Sequence, residues 1–330
     1  MERNNMGLVS VIIPTYKGSK ALTRAIDSVL NQKYVEVEVI VVDDNVPDSR
    51  ERNLTEILMK TYQGDERVRY IKHKNNQNGA TARNTGIAHA AGDYIAFLDD
   101  DDYYLEDRVG QCVRYMGVHK NMVGVYVGVD VVDEDGNITM QIRPEKELEV
   151  SELLMDEMAI GTGSNIFLRR TVFSEIKGFD TRFARRQDTE FMIRVCQCER
   201  VGFITDRLII KSVNGTSNLP AYAKMKDVLN LFFEVFKKDI DALGRQKTDF
   251  YAKQYRTLLY TAMQERNRAE IREARDMITQ FGKLSLKEQL LIFIYTFNIR
   301  DTKMISTAIR WKRNVKTFFI KRKESRRHRR

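Results

Sequence analysis

A chain of 330 residues, of which 42% are hydrophobic and 31% charged, has the composition of a globular protein and is long enough for two domains of ordinary size. A membrane-embedded helical bundle is excluded, since the longest apolar run, Leu290–Phe297, is far shorter than the roughly 20 residues that span a bilayer. Three cysteines and four scattered histidines predict neither a disulfide framework nor a zinc site, and the polar N-terminus predicts no signal peptide, so we expect a cytoplasmic protein.

The basic residues are concentrated at the C-terminal end. The formal net charge is +9, but residues 301–330 contain twelve lysines and arginines and only two acidic residues. Trp311, Val315 and Phe318 recur there at helical spacing, which predicts a basic amphipathic helix that contacts an anionic membrane surface. A helix packed on the body of the protein or on a partner subunit is the alternative. Nucleic-acid binding is not favoured, because no recognition motif is present.

The first half of the chain alternates between strand and helix patterns. Continuous apolar runs predict strands at 8–13, 37–42, 68–71 and 94–98, and we expect Pro14 to end the first of them. Periodic apolar residues predict helices that begin at Ser19, span 50–62 and 79–90, and begin again at Leu105. This alternation predicts an open, mostly parallel sheet that binds ligands at the carboxyl ends of its strands.

The pattern changes after residue 123. A turn at Asp135-Gly136-Asn137 between two strand patterns predicts a hairpin. Further strands are predicted at 165–168 and 201–211, with short helices at 151–157, 171–177 and 188–198. From residue 221 onward the pattern is helical, with one break near Phe281. We therefore predict one domain over residues 1–215 and a helical C-terminal region over residues 216–330, which includes the basic tail.

Carboxylates follow two of the predicted strands. Asp43 and Asp44 close the second strand, and four consecutive aspartates, Asp99 to Asp102, close a later one. Adjacent aspartates repel each other, and a hard divalent cation would relieve this repulsion, since carboxylate oxygens are the ligands it prefers. The run therefore predicts a metal site with coordination positions left for a diphosphate. A solvated turn is the alternative, with Asp102 as the N-cap of the following helix.

A helix opened by glycine is the second candidate for ligand binding. Gly79 lets the backbone approach a ligand closely at the start of this helix, and Arg83 lies one turn further on. The loop is not a Walker A motif, because Gly-Lys-Ser/Thr is missing. A dinucleotide-binding fold is also excluded, because the first turn, Pro14–Ser19, contains no G-x-G-x-x-G motif.

Five motifs in register resemble those of family 2 glycosyltransferases of the GT-A fold. In chain order they are SVIIPTY (10–16), VVDDN (41–45), NGATARNTG (78–86), FLDDDD (97–102), and GFD (178–180) followed by Gln187-Asp188. The resemblance covers residues 8–212. It implies an α/β chain with a Rossmann-like open mixed sheet flanked by helices, to which this sequence adds a C-terminal α-helical extension.

The resemblance also implies how the donor is held. Pro14, Thr15 and Tyr16 would line the nucleotide pocket, and Asp44 would accept a hydrogen bond from the base, uracil. Arg83 would lie near the base or the diphosphate. A UDP-sugar is therefore the implied donor.

The aspartates that follow the fourth predicted strand match the D-x-D motif of the family. Asp101 would ligate Mn²⁺ or Mg²⁺, and Asp99 would contact the ribose or a metal-bound water. Asp100 and Asp102 would complete the donor site, with Asp102 at the sugar. Asp188 matches the general base that deprotonates the acceptor hydroxyl. The family usually has Glu-Asp at that point, whereas this chain has Gln187-Asp188.

Together these observations predict an inverting hexosyltransferase that moves a sugar from a UDP-sugar to a glycan or lipid-linked acceptor in cell-surface polysaccharide synthesis. We expect it to lie peripherally on the cytoplasmic face of the membrane. The sequence is compatible with a homo-oligomer. The Gln-x-x-Arg-Trp motif of processive members is missing, which favours transfer of one sugar per visit. A catalytically inactive GT-A scaffold or membrane-docking protein is the alternative. A nucleotidyltransferase is disfavoured, because its glycine-rich N-terminal loop is absent.

Overall fold

The computed structural model describes residues 7–33, 36–155, 158–213 and 221–296. The chain divides into two compact units, Met1–Thr216 and Ser217–Arg330. The predicted amphipathic tail, residues 301–330, lies outside the described residues. Among the helices that are described, none combines the length and the apolar character needed to cross a bilayer.

Strands of the first unit form one mixed sheet. In the described residues the strands are β1 (Leu8–Thr15), β2 (Glu36–Asp43), β3 (Val68–Lys72), β4 (Tyr94–Phe97), β5 (Tyr103–Tyr104), β6 (Gly124–Val132), β7 (Ile138–Ile142), β8 (Phe167–Arg169) and β9 (Val201–Ser212). Their order across the sheet is β3-β2-β1-β4-β8-β6-β9-β5, and β7 pairs with β6. Strands β1 to β4 are parallel, β8 is antiparallel to β4 and β6, and β9 is parallel to β6.

Helices connect these strands and make up the described part of the second unit. In the first unit they are α1 (Ser19–Leu30), α2 (Arg50–Met59), α3 (Gly79–His89), α4 (Arg108–Val118), α5 (Val150–Met155), α6 (Val172–Ile176) and α7 (Gln187–Cys198). In the second unit they are α8 (Tyr222–Val235), α9 (Lys237–Ala242), α10 (Lys247–Glu265), α11 (Arg268–Phe281) and α12 (Leu286–Thr296). The predicted α/β architecture with a helical C-terminal region is confirmed, as is the hairpin, which is formed by β6 and β7.

The central strands β1, β2 and β4 are mostly apolar, as expected for strands that helices cover on both faces of the sheet. On one face Val9, Val11 and Ile13 of β1 belong to the large core cluster of this unit. The apolar stripe of α1 packs into the same cluster, with Leu22, Ala25, Ile26 and Val29 fully buried. The i, i+3, i+4, i+7 spacing of that stripe is what predicted the helix.

The strand order brings three loops together. Since β2, β1 and β4 are adjacent and parallel, their carboxyl ends lie at the same edge of the sheet. Residues 14–16 lie at the end of β1 and residues 43–45 at the end of β2. Residues 98–102 come directly after β4. The polar residues of three separate sequence motifs therefore meet at this edge.

Two details differ from the sequence prediction. Pro14 does not end the first strand, which continues to Thr15 with Pro14 opposite Val42. The ladder with β4 ends at Ile12, and the nitrogen of Pro14 faces that side, so its missing N–H removes no strand bond.

Asp102 is not a helix N-cap. It precedes the short strand β5, which pairs with β9, and the next helix begins only at Arg108. Leu105, which was predicted to belong to that helix, lies before it and is 37% exposed. The apolar periodicity placed the helix correctly from Val109 onward, but it cannot show that an edge strand comes first.

Helices of the second unit pack around a core of their own. Leu258, Leu259 and Ala262 of α10 and Ile271 and Ala274 of α11 are buried in it. The predicted break near Phe281 is the end of α11. Arg266 adds another break, since it ends α10 in the left-handed conformation.

Candidate functional site

A cleft of about 230 Å³ opens at the carboxyl edge of β1, β2 and β4. It is lined by Pro14, Thr15, Tyr16, Asp44, Gly79, Ala82, Arg83, Asp99, Asp100 and Asp101. Eight of the ten residues predicted from the sequence therefore line one cleft. The other two, Asp102 and Asp188, lie beside it.

A second, larger cavity lies along β3, which is a strand at the edge of the sheet. It measures about 400 Å³ and its charged residues are Glu56, Lys60 and Lys72. Lys72 and Glu56 already pair with each other. It has no cluster of like charges and does not lie at the strand ends, so we assign the chemistry to the smaller cleft.

Asp44 organises the loop that leads into α3. Its carboxylate accepts hydrogen bonds from His73 Nδ1 at 2.7 Å, from Asn76 Nδ2 at 2.9 Å, and from the backbone N–H groups of Gln77 and Asn78 at 2.9 Å each. These four donors use the roughly four lone-pair directions of a carboxylate. The bond to Asn78 also holds that residue at φ 115°, from where its side chain caps α3. Asp44 lines the cleft, but the loop occupies its acceptor positions.

Asp43 supports the same turn from within the core. Its side chain accepts hydrogen bonds from the backbone and side chain of Asn45 and from the hydroxyl of Tyr70. Arg52 Nε lies 3.4 Å from the second carboxylate oxygen. This buried network fixes the end of β2, which places Asp44 at the cleft.

Arg83 reaches into the cleft from the first turns of α3. Its Nη2 atom is 2.5 Å from Asp99 Oδ1, and its Nη1 atom donates to Gln187 Oε1 at 3.0 Å. The side chain is only 11% exposed, and its guanidinium lies 5.6 Å from the ring centroid of Phe179. A buried cation at the edge of a carboxylate cluster is a natural partner for a bound anion.

Burial and neighbouring carboxylates raise the pKa values of Asp100 and Asp101. Burial raises the pKa of Asp100 to about 7, and the carboxylates of Asp101 and Asp99 add to this effect. The pKa of Asp101 is raised as well, first by burial and then by Asp99. Asp100 packs directly on Gly18, where an added Cβ would lie 1.8 Å from its Oδ2 atom. The cluster thus holds more negative charge than its surroundings neutralise.

Asp102 faces away from the cleft and is 1% exposed. Its Oδ2 atom accepts hydrogen bonds from the hydroxyls of Thr162 at 2.8 Å and Ser164 at 2.7 Å, and its Oδ1 atom accepts one from the backbone N–H of Ser212 at 3.1 Å. Burial raises its pKa to about 7, with Asp99 and Asp101 as the next causes. Asp102 therefore joins the 162–164 loop and the end of β9 to the aspartate run.

Asp188 lies in the first turn of α7, at the rim of the cleft. It is the second residue of the helix, and Arg186 occupies the N-cap position, so Asp188 is not the N-cap. An added Cβ on Gly163 would lie 3.6 Å from the Cβ of Asp188, 3.5 Å from Arg83 Nη2 and 3.7 Å from Asp99 Oδ2. The three side chains therefore converge around Gly163.

The residues present fit a divalent cation. The carboxylates of Asp99 to Asp101 share one edge of the cleft, and Asp100 Oδ2 is buried with no hydrogen-bond partner among the described residues. Hard oxygen ligands with excess negative charge are what Mg²⁺ and Mn²⁺ prefer. No group of three or more His, Cys, Asp or Glu side chains within the described ranges forms a ready-made metal cage. A cation here would keep open coordination positions.

The raised pKa values lead to a prediction about stability and pH. The folded protein binds more protons than the unfolded chain between about pH 4 and pH 7, so each raised carboxyl lowers the free energy of unfolding as pH rises through this window. In EDTA we expect the stability of Asp100→Asn relative to wild type to increase by about 1–3 kcal/mol between pH 5 and pH 8. Thermal unfolding at several pH values measures this difference. Asp135→Asn, in an exposed turn, is the control that should show none, and a pH-independent gap for Asp100→Asn would contradict the assignment.

The structure adds residues that the motifs did not indicate. Thr162 and Ser164 hold Asp102, and Arg24 donates to the backbone oxygen of Asp101 at 2.8 Å. Lys211 donates to the carbonyl of Gly161 and helps to lower the pKa of Asp101. These residues come from distant parts of the chain, and only the G-T-G-S run at 161–164 was a visible signal.

Comparisons with known proteins find glycosyltransferases of similar sequence. The sequence pattern of glycosyl transferase family 2 matches residues 10–177. The amylovoran biosynthesis glycosyltransferase AmsB of Erwinia amylovora is 32% identical over 201 residues, which are 59% of this chain and 64% of that protein. The Escherichia coli protein named UDP-Glc:alpha-D-GlcNAc-diphosphoundecaprenol beta-1,3-glucosyltransferase WfgD is 26% identical over 234 residues, which are 69% of this chain and 87% of that protein. The matches to two Rickettsia glycosyltransferases span only about a third of those relatives' length.

Solved structures share the fold. The crystal structure of S. aureus TarS 1-349 in complex with UDP-GlcNAc has a TM-score of 0.56 and 15% sequence identity, and the match covers 88% of this chain and 92% of that one. The predicted GT-A architecture is thereby confirmed. The family pattern covers half of the chain and includes the cleft's first three motifs and its aspartate run. This chain therefore belongs to glycosyl transferase family 2.

Proposed function

We propose that this protein is an inverting glycosyltransferase that moves a sugar from a UDP-sugar to a hydroxyl of a glycan or lipid-linked acceptor. The observation that carries the proposal is the convergence of the nucleotide, D-x-D and general-base motifs on one cleft at the carboxyl edge of the sheet. These motifs lie up to 174 residues apart in the sequence, from Pro14 to Asp188, and no packing requirement brings so many carboxylates together.

Support for a uridine donor comes from the part of the cleft at the end of β1. Pro14, Thr15 and Tyr16 line it, and Tyr16 is 47% exposed with its ring available for contact with a base. The crystallised neighbour TarS was solved with UDP and with UDP-GlcNAc, and the relative WfgD is named for UDP-Glc. Asp44 would contact the base only if the loop released one of its four bonds, so we assign to it first the role of shaping the pocket.

Asp101 and Asp99 are the residues that would hold Mn²⁺ or Mg²⁺. When bound, such a cation neutralises the negative charge that develops on the leaving diphosphate. Arg83 would also neutralise charge on the diphosphate, because its guanidinium lines the cleft next to Asp99. Asp102 keeps the run in place from behind, through Thr162 and Ser164.

Asp188 is the residue that we assign as general base. It stands across Gly163 from Asp99 and Arg83, so an acceptor that enters at this rim meets the donor from the side of Asp188. The carboxylate accepts the proton of the acceptor hydroxyl while the oxygen attacks the anomeric carbon, and the diphosphate leaves from the opposite face. A single displacement of this kind inverts the anomeric configuration.

The acceptor class is supported by the named relatives. AmsB is a glycosyltransferase of amylovoran biosynthesis, and the name of WfgD describes a diphosphoundecaprenol-linked acceptor. We therefore propose a role in the synthesis of a cell-surface polysaccharide. A catalytically inactive scaffold with the same fold is the second candidate, but the presence of Asp99, Asp101 and Asp188 in one arrangement favours an active enzyme.

A donor screen tests the proposal directly. Release of UDP from UDP-glucose, UDP-galactose and UDP-GlcNAc is measured with Mn²⁺, with Mg²⁺ and with EDTA. We expect one donor to be consumed clearly faster than the others, and only when metal is present. Metal-dependent UDP binding without turnover of any donor, even with glycan and lipid-linked acceptors added, would instead support the scaffold.

Membrane contact is a separate proposal that concerns the basic tail. Residues 301–330 carry twelve basic side chains, each of which adds about 1 kcal/mol at best near an anionic surface. We expect the 330-residue chain to sediment with vesicles that contain phosphatidylglycerol and not with pure phosphatidylcholine. Deletion of 301–330 should abolish this sedimentation, and a truncated protein that still sediments would contradict the assignment to the tail.

A further inference from the structure

Gln187 is the first residue of α7 and stands where the family usually has a glutamate. Its amide bridges two segments of the site. The Nε2 atom donates to the carbonyl of Phe183 at 2.8 Å, and the Oε1 atom accepts from Arg83 Nη1 at 3.0 Å. Both ends of the amide are used, so its orientation is determined by its partners.

Arg83 has partners of two different kinds. On one side it pairs with the Asp99 carboxylate, and on the other it meets the neutral Gln187 amide. Its Nε atom is buried without a hydrogen-bond partner among the described residues. One guanidinium charge is thus balanced by one carboxylate charge and not by two. With a carboxylate at position 187, the guanidinium would have an acidic partner on each side, because Asp99 already pairs with it. The negative charge of the cleft would also increase.

The backbone at the start of α3 encloses this contact. An added Cβ on Gly79 would lie 2.9 Å from Gln187 Oε1 and 3.0 Å from Arg83 Nη1. Only glycine allows the helix to approach so closely without moving these atoms. The Gln187–Arg83 contact therefore packs against the backbone at the start of α3.

We propose that Gln187 is a positioning residue of the donor site, whose neutral amide holds Arg83 in place without adding a second negative charge that would compete with the donor diphosphate for the guanidinium. The inference rests on the proposed function, since that function supplies the diphosphate. Gln187 also joins Arg83 to the helix that carries Asp188, so the donor side and the acceptor side of the cleft share this one contact.

The chemistry of the amide provides a sharp test. An ionised carboxylate has no proton to donate to the Phe183 carbonyl, whereas a protonated carboxyl can donate from one oxygen and accept at the other, as the amide donates from its nitrogen and accepts at its oxygen. The variant Gln187→Glu is therefore a close mimic of wild type at low pH and a competitor for Arg83 at high pH. Gln187→Ala removes both hydrogen bonds at every pH.

The experiment measures the Kd for UDP with Mn²⁺ by calorimetry between pH 4 and pH 8, a range that includes the ordinary pKa of a glutamate, about 4.3. At pH 8 we expect Gln187→Glu to bind UDP about 10-fold more weakly than wild type, the size of one charge-assisted hydrogen bond, and this ratio should shrink as pH falls. For Gln187→Ala the ratio should stay constant. Gln63→Glu, an exposed site outside the cleft with the same change of charge, should match wild type. Asp99 and Asp188, the other acidic residues beside this contact, are unchanged in all four proteins, and the titration of UDP itself cancels in the ratios.

The outcomes separate this inference from the proposed function. If wild type binds UDP and Gln187→Glu binds it equally well at pH 8, or loses affinity by the same factor at every pH, the positioning role is wrong and the function stands. Failure of wild type to bind UDP would contradict the proposed function and the inference with it. Thermal unfolding without UDP tests the contact alone: the gap in Tm between wild type and Gln187→Glu should also close as pH falls, and a constant gap would contradict it.

Discussion

Replacement of Asp101 by Asn should lower kcat/KM for sugar transfer by about 10³-fold, because the loss of a metal ligand removes several kcal/mol of stabilisation from the leaving diphosphate. The carboxylate lies in the cleft beside Asp99, and burial, followed by the charge of Asp99, raises its pKa. The amide of Asn keeps the size of the side chain but has only one oxygen and no charge. Transfer should be measured over a range of Mn²⁺ concentrations, where the variant should need far more metal or show no metal dependence.

Asp135→Asn is the matched control for this substitution. Asp135 is exposed in the hairpin turn between β6 and β7, so the same chemical change there should leave both kcat and the metal requirement unchanged. Asp101→Asn should also unfold at a temperature no lower than wild type in EDTA, since it removes a buried charge. Full Mn²⁺-dependent turnover by Asp101→Asn would refute the assignment of the metal site.

Asp188→Asn should remove sugar transfer while UDP still binds. Loss of a general base typically costs about 10² to 10⁴ in kcat, and an amide cannot accept the acceptor proton. Asp188 lies at the rim of the cleft and is not among the residues that line its donor part, so the Kd for UDP should change by less than about 2-fold, well under 1 kcal/mol. Transfer to the acceptor and UDP binding are measured on the same preparation.

Asp206→Asn serves as the control for Asp188→Asn. Asp206 is exposed on β9, away from the residues that form the cleft, and its substitution should affect neither transfer nor UDP binding. A variant Asp188→Asn that transfers sugar at the wild-type rate would show that another group is the base. Loss of UDP binding and of transfer together would place Asp188 in the donor site.

Much of the fold follows from local sequence patterns. The stripe of Leu22, Ala25, Ile26 and Val29 specified α1, and the apolar run that became β1 specified a strand covered on both faces. Turn residues at Asp135-Gly136-Asn137 specified the β6–β7 hairpin. In each case neighbouring residues carry the signal, because the periodicity of a helix or strand is a local property.

Other features depended on contacts between distant segments. The short strand β5 exists because β9, about 100 residues later, supplies its hydrogen bonds, and the same contact moves the start of α4 to Arg108. The antiparallel pairing of β8 with β4 and β6 is likewise set by the sheet as a whole. No local pattern records such partners.

For the site, the sequence by itself determined which residue types stand after which strands, and this was enough to indicate a cleft with the aspartate run, the Pro14–Tyr16 turn and Arg83. Only the tertiary structure decided how each side chain is engaged: Asp44 is held by four donors of one loop, Asp102 is turned inward to Thr162 and Ser164, and Gln187 meets Arg83. Strand ends are specified by local chemistry, whereas the direction of a side chain depends on the hydrogen-bond partners that folding brings from elsewhere in the chain.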